Sequence, residues 1–499
     1  MRILAAALTA AALAFTAPAA HAADWVRAES PNFILYSDVS TPSAKRYLET
    51  LEVFDAVLRA RHGMKADKPA RRKLPIYLLR RDEDLKRISP GIRSTVAGYY
   101  SSHLEDTYAV ATESRKDNSV ILHEYVHHFM LAYFPYNYPA WLTEGYAEYF
   151  MTFKLTDTNF ELGNVNQNRA AWLSNTDFIP YELVLKSRPM DLRSDAQVAM
   201  YYAQSWALTH YMLSDPGRSR QLDAYIAAVG AGADPVKAFT DATGHTPQTI
   251  GRLVRAYLVK GFPYTRFERA KFAAPAVTVA ALPAGTGDLL LMSQRIKADN
   301  GEDAPSDRTD GPVLLAAARK VAAPYAGARM ADLTLARAEL KLGDAAVAER
   351  LLAALREKDP NDVDVLIVSA AHRLKAAEAA TGKDRAALLG EARAMAGKAY
   401  KLDSNHYQTL VAYARGREST SGYPNDNDLD VLRDALELAP QVSSLRLKTA
   451  QALVGRNKYA EAARVLRPLA LNPHGGEVVG AARALLTLIE AKSATEPAS

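Results

Sequence analysis

The sequence predicts an α+β domain, built from a short mixed sheet plus helices, followed by an all-α domain of helical repeats. Three observations carry this expectation. Short runs of strand character come first and helix-period segments follow them, which is the order of an α+β fold. A stretch punctuated by Pro and Gly then interrupts the chain. Beyond it the composition turns to Ala, Leu, Arg and Glu at helical spacing. A chain of 499 residues is long enough to bury two or three separate cores.

Taken in order, residues 1–22 read as a leader. Arg2 supplies a positive start, Ile3 to Ala17 are nearly all apolar, and Ala20-His21-Ala22 forms an A-x-A cleavage site. The expected mature chain begins Ala23-Asp24-Trp25, in a bacterial periplasm or outside the cell. The α+β domain is expected over 23–267. Asn32 to Tyr36 is a strand signal, closed by Ser37-Asp38. Thr41-Pro42 opens a helix through Arg61, with Leu48, Leu51, Phe54 and Leu58 on one face. Leu74 to Leu79 reads as a second strand, and Gly98 to Thr112 holds one or two more. Residues 268–311 read as a linker, with Pro275, Pro283, Gly285 and Gly287 and a polar run from Asp299 to Gly311. Leu289 to Met292 is a possible further strand within it.

Residues 312–499 carry the helical repeats. Four segments end alike, at Pro360, Ser404, Pro440 and Pro473, and the intervals are 44, 36 and 33 residues. Gly343-Asp344 and Gly455-Arg456 fall where such a repeat would turn between its two helices. The later intervals approach the 34-residue tetratricopeptide period, and the region resembles tetratricopeptide repeats. Stacked repeats bury their core between neighbours and leave a concave face, which implies a protein partner or substrate there.

Composition excludes several functions. A formal charge of +5 on a chain this long gives no nucleic-acid footprint. After the leader no stretch reaches the 18 apolar residues of a membrane span, so no integral span is expected. The cysteine count is zero, which removes disulfides, thiol nucleophiles and Cys-ligated zinc.

The chemistry rests on His123-Glu124-Tyr125-Val126-His127, an HExxH motif. Val120, Leu122, Val126 and Met130 surround it at helical spacing, and Asn118 or Ser119 can cap its start. Residues four apart share a helix face, so both imidazoles can reach one ion. Neutral imidazole suits Zn2+, whose catalytic sites take three protein ligands and leave one position for water. Glu124 is set beside that water as its base. His128 points about 100° away around the helix and reads as structural.

Downstream, Trp141-Leu142-Thr143-Glu144-Gly145-Tyr146-Ala147-Glu148 resembles the Trp-Leu-Asn-Glu-Gly-Phe-Ala stretch of the gluzincin aminopeptidases, whose glutamate is the third zinc ligand. The match implies that role for Glu144. Sixteen residues separate His127 from Glu144 and twenty from Glu148, and the family spacing lies between them. Spacing therefore does not choose between the two glutamates; the motif match does. By likeness to thermolysin-like enzymes, Glu148 would hydrogen-bond a zinc histidine. Tyr201-Tyr202-Ala203-Gln204-Ser205-Trp206-Ala207-Leu208 resembles a further aminopeptidase segment, whose tyrosine steadies the reaction's oxyanion. That role falls on Tyr202, with Tyr201 the alternative. His210, two turns on, reads as a core histidine. The Gly-x-Met-x-Asn sequence that holds a free amine in the aminopeptidases is missing, which favours endopeptidase or another hydrolytic specificity. The expected function is thus a zinc metallopeptidase acting on a peptide or protein substrate. The alternatives are a catalytically inactive zinc-domain scaffold and a hydrolase of non-peptide amides.

Overall fold

Alternation of buried and half-buried side chains shapes the first strands of the computed structural model. It describes residues 25–495 apart from 66–68, 95, 114–117, 273–274, 299–309, 419, 471 and 474–475. The leader assigned to 1–22 lies outside the described residues. Strands β1 (Val26–Glu29) and β2 (Phe33–Ser37) turn every second residue inward. They join β3 (Leu74–Leu79), β4 (Gly98–His103) and β5 (Asp106–Thr112) in a mixed sheet. Its order is β4-β5-β3-β2-β1, and one further strand pairs beyond β1. β2, β3 and β5 run parallel, while β1 and β4 are antiparallel to their neighbours. The parallel β2–β3 step needs a crossover, supplied by α1 (Thr41–Arg61). Ser40 Oγ caps that helix by accepting from the Ser43 N–H.

On one sheet face α1 packs with α2 (Ser119–Tyr133). Phe33, Leu35, Leu51, Phe54, Val126 and Phe129 make a core there. After α2 come α3 (Ala140–Phe150), the short strands β6 (Lys154–Leu155) and β7 (Asn159–Leu162), and α4 (Gln167–Asn175). Then follow α5 (Tyr181–Lys186), α6 (Asp195–Leu213), α7 (Pro216–Gly230), α8 (Pro235–Thr243) and α9 (Pro247–Lys260). β8 (Thr265–Glu268) completes a small sheet of order β6-β7-β8. The helices after α2 gather a second core around Trp141, Tyr201, Trp206, Tyr225 and Phe239.

Within residues 268–311, expected as a linker, the described residues form regular elements. β9 (Thr278–Ala281) pairs antiparallel with β1 and ends the main sheet. Leu289 to Met292 form no strand but lie in α10 (Thr286–Ala298). Its Leu290 and Leu291 cover the other sheet face with Tyr77, Tyr108 and Val110. A four-residue apolar run satisfies strand and buried helix alike, so the pattern could not decide.

The remainder is helical: α11 (Gly311–Ala322), α12 (Arg329–Leu342), α13 (Ala345–Lys358), α14 (Val363–Ala379), α15 (Gly382–Leu402), α16 (Tyr407–Arg415), α17 (Asp426–Leu438), α18 (Ser443–Gly455), α19 (Tyr459–Ala470) and α20 (Glu477–Thr495). From α12 to α19 they pack as successive pairs. The first pair turns at Gly343-Asp344, where Asp344 caps α13 through the Ala346 N–H. Helices of 17 and 21 residues, α14 and α15, fill the long 44-residue interval. No described helix is long and apolar enough to cross a membrane.

Candidate metal centre

α2 forms because Ile121, Leu122, Tyr125, Val126 and Phe129 bury one broad face against the sheet and α1. Tyr125, inside the motif, fastens the helix: its hydroxyl donates to Asp55 Oδ1 at 2.6 Å. Asp55 in turn pairs with buried Arg59 at 2.6 Å, and Arg59 donates to the Tyr133 hydroxyl. The helix that carries both histidines is therefore tied to α1 at its middle and its end. His123 and His127 stand one turn apart with their Nε2 atoms 3.1 Å from each other.

Glu144 reaches them from α3. Its Oε2 is 3.6 Å from His123 Nε2 and 3.7 Å from His127 Nε2, and the residue is fully buried. A point equidistant from three atoms so spaced lies about 2 Å from each, which is a zinc–nitrogen or zinc–oxygen bond length. The donor set, two imidazoles and one carboxylate, is that of a catalytic zinc site, and the three residues could hold such an ion. Glu148, the alternative that spacing left open, does not join them. Its Oε1 stands 3.7 Å from His123 Nδ1, on the far side of the ring from Nε2.

The rest of the α3 motif is packing. Trp141 and Leu142 enter the second core, and the Trp141 indole donates to the Tyr225 hydroxyl at 3.1 Å. At Gly145 a Cβ would sit 2.4 Å from Ser205 O and 2.3 Å from Thr209 Oγ1. Glycine thus lets α3 lie directly on α6, and this fixes Glu144 toward α2.

Charge around the cluster is concentrated. Burial alone would lower the His123 imidazole, but its contact with Glu144 and the charges of Glu148 and Glu124 outweigh this and hold it at about 9. Such a field favours a cation. Arg169 of α4 answers part of it, donating to Glu148 through Nε at 3.0 Å and Nη2 at 2.6 Å. Asn166 Nδ2 donates to the same carboxylate at 2.7 Å. Glu124 Oε2 accepts from the Tyr100 N–H of β4 at 2.9 Å.

Of the two tyrosines, Tyr201 is fully buried and spends its hydroxyl on Ser187 O at 2.8 Å. Tyr202 lies beside the cluster, with the Arg169 guanidinium 5.0 Å from its ring centre. Burial, then the charges of Glu144 and Glu148, push its pKa up, so the hydroxyl keeps its proton and remains a donor. His128 turns away, as expected: Nδ1 meets the Tyr100 hydroxyl at 3.1 Å, and burial lowers its pKa to about 4. His210 is a core histidine between the Tyr257 hydroxyl and Gly163 O.

Sequence reasoning missed Arg169, Asn166 and the Asp55–Arg59 pair. Asn166 carries a signal of its own as the residue that caps α4. Arg169 carries none, because only tertiary packing brings it to Glu148.

A cavity of about 1090 Å³ reaches the cluster through Glu124 and His127. Tyr202, Arg169 and Glu148 are not among the residues that line it. Compared with known families, residues 117–231 match one described as protein of unknown function (DUF1570). That match begins just before α2 and ends after α7, so it takes in both histidines, Glu144, Glu148, Arg169 and Tyr202. No curated protein matches the chain.

Proposed function

We propose that the chain is an exported zinc metallopeptidase of gluzincin type with tetratricopeptide-like repeats, cutting peptide bonds within a chain. One observation carries the reading: two ring nitrogens and one carboxylate oxygen converge at 3.1 to 3.7 Å with a glutamate beside them on a cavity wall. Zinc held by His123, His127 and Glu144 would supply an activated water and a polarised carbonyl. Glu124 takes the water's proton and hands it to the leaving amine. Tyr202 donates to the oxygen on which negative charge develops. Glu148 keeps the His123 ring aligned, and Arg169 and Asn166 keep Glu148 in place.

The substrate also has a track. β4 pairs with β5 on one side only, and among the described residues no strand covers its other side. The Tyr100 N–H points that way, toward Glu124. An extended peptide laid along this edge would bring successive carbonyls to the metal.

Metal analysis of the purified protein and digestion of a peptide library test the reading. We expect stoichiometric zinc that His123→Ala loses, and peptide cleavage that Glu124→Gln loses with its zinc retained. Cleavage by Glu124→Gln at the parent rate would remove the base. Zinc without cleavage of any peptide or amide would leave the scaffold reading. N-terminal sequencing of the secreted protein tests export, with Ala23 the expected first residue.

A further inference from the structure

The inner face of the helical repeats is not free. Helices α12, α14, α16 and α18 are the first members of their pairs, and each lends residues to the cavity at the metal cluster, as does α20. Lys341, Lys375, Arg415, Ser444 and Val479 represent these five helices on its wall, opposite Glu124 and His127. None of the described residues of α13, α15 or α17 reaches it, and of the second members only α19 does, through Pro468. The stack therefore presents one side to the site along its whole length.

It is also anchored there. The tip of the β4–β5 hairpin is gripped by two repeat helices. Tyr407 donates to His103 O at 3.0 Å, and Gln408 to Leu104 O at 3.1 Å. Lys341 pairs with Glu105 at 2.7 Å, and Leu104 packs into the repeat core. On the chamber wall, Gln441 Oε1 and Ser444 Oγ find no hydrogen-bond partner among the described residues.

We infer that the repeats are the second wall of the substrate channel, so that an extended, unfolded polypeptide is read by α12–α20 while β4 presents it to the metal. This rests on the metallopeptidase reading above. The space argues for such an occupant. At about 1090 Å³ it exceeds the usual range of small-molecule pockets. A folded domain does not fit: 100 residues have a radius of gyration of about 13 Å, and a sphere of that radius exceeds the chamber several-fold. Lys375 and Arg415 are exposed cations on the repeat side, able to sense charge some residues away from the bond being cut.

The test uses the full-length, zinc-loaded protein and three disordered peptides. One is a short cleavable segment; the others extend it at both ends with acidic or with basic residues. In Lys375→Glu/Arg415→Glu the ratio of kcat/KM for the acidic-tailed over the basic-tailed peptide should fall about fivefold or more. The change should shrink at high salt, and the short segment should be cut at the parent rate. Ser444→Trp, which narrows the channel without changing charge, should slow both tailed peptides about tenfold and spare the short one. An unchanged ratio together with unhindered tailed peptides overturns the inference. Binding of the same peptides to zinc-loaded Glu124→Gln, read by fluorescence anisotropy, should show the same preference and the same reversal. If that preference appears while the parent cleaves nothing, the hydrolytic reading falls and the repeat wall stands.

Discussion

The helix pair α2–α3 and the repeat helices α12–α20 serve one cavity by different physics. In the pair, the working atoms lie 3.1 to 3.7 Å apart and the carboxylates of Glu144 and Glu148 are almost fully buried. Substitution of His123, His127, Glu144 or Gly145 there alters one of these close contacts. In the repeats the contribution is a long wall, partly exposed, whose charges act through solvent. The first kind of site depends on a few atoms. The second depends on how a whole face is placed, and it tolerates single changes.

Glu124→Gln should break this contrast open most widely. General-base catalysis contributes about 10²- to 10⁴-fold, so kcat should fall by that order while zinc content stays at the parent level. No single change on the repeat wall should approach this on a short peptide. A repeat variant that did so would mean the two regions are not separable. Tyr202→Phe comes next. Loss of one donor to the developing charge costs about 10²-fold in kcat, with little change in KM or zinc. Tyr201→Phe is its control: that hydroxyl serves Ser187 O, so its loss should lower the unfolding midpoint and leave kcat alone.

The seam between the regions gives a pH prediction. His103 stands at the hairpin that the repeats grip, and it is buried. Burial lowers its pKa to about 4, against the pull of Asp106 and Glu105 and with the help of Lys341 and Lys297. In the unfolded chain it titrates at the ordinary value of about 6.5. Between those values the unfolded state binds a proton that the folded state refuses. Stability from this group is therefore complete above pH ~6.5 and is lost progressively as pH falls toward and below 4, on the order of 3 kcal/mol in all. His128, inside the α/β core, is held at about 4 in the same way and adds its own loss. Urea midpoints measured from pH 7 to pH 4.5 should fall, and His103→Gln should flatten part of that fall. An equal slope in the variant would show that the seam histidine is not held neutral.

How much of this could be read in advance follows from range. The span of α1, the strand β3 and the shared face of His123 and His127 follow from periodicity over neighbouring residues. The Trp-Leu-x-Glu-Gly-x-Ala pattern around Glu144 was legible through its resemblance to a family motif, and the fold gives two of its residues a steric reason: an indole in the core, a glycine against α6. β9 was not legible, since Thr278–Ala281 is mostly exposed and lacks alternation. Arg169 has no local pattern that aims it at Glu148. The docking of the repeats was hidden for the same reason. Tyr407 and His103 are far apart in the chain, and nothing near either residue names the other.

Two glycines set the smallest effects against each other, one in each region. A Cβ at Gly145 would meet the backbone, Ser205 O at 2.4 Å, in addition to Thr209 Oγ1. Backbone does not swing aside, so α3 must move off α6. Gly145→Ala should cost about 2 kcal/mol, as overpacked cores do, and the shift should carry Glu144 away and weaken zinc binding. A Cβ at Gly343, in the first repeat turn, would meet Glu339 Oε2 at 2.1 Å and Leu315 Cδ2 at 2.8 Å. Both are ends of side chains that can rotate, although Glu339 would have to loosen its hold on Arg319. Gly343→Ala should therefore cost about 1 kcal/mol or less and leave zinc content unchanged. Denaturant midpoints and metal analysis on the two variants measure both halves of the comparison. If Gly343→Ala lost zinc as readily as Gly145→Ala, strain in the repeats would reach the metal ligands, and the wall would be part of the site's rigid frame.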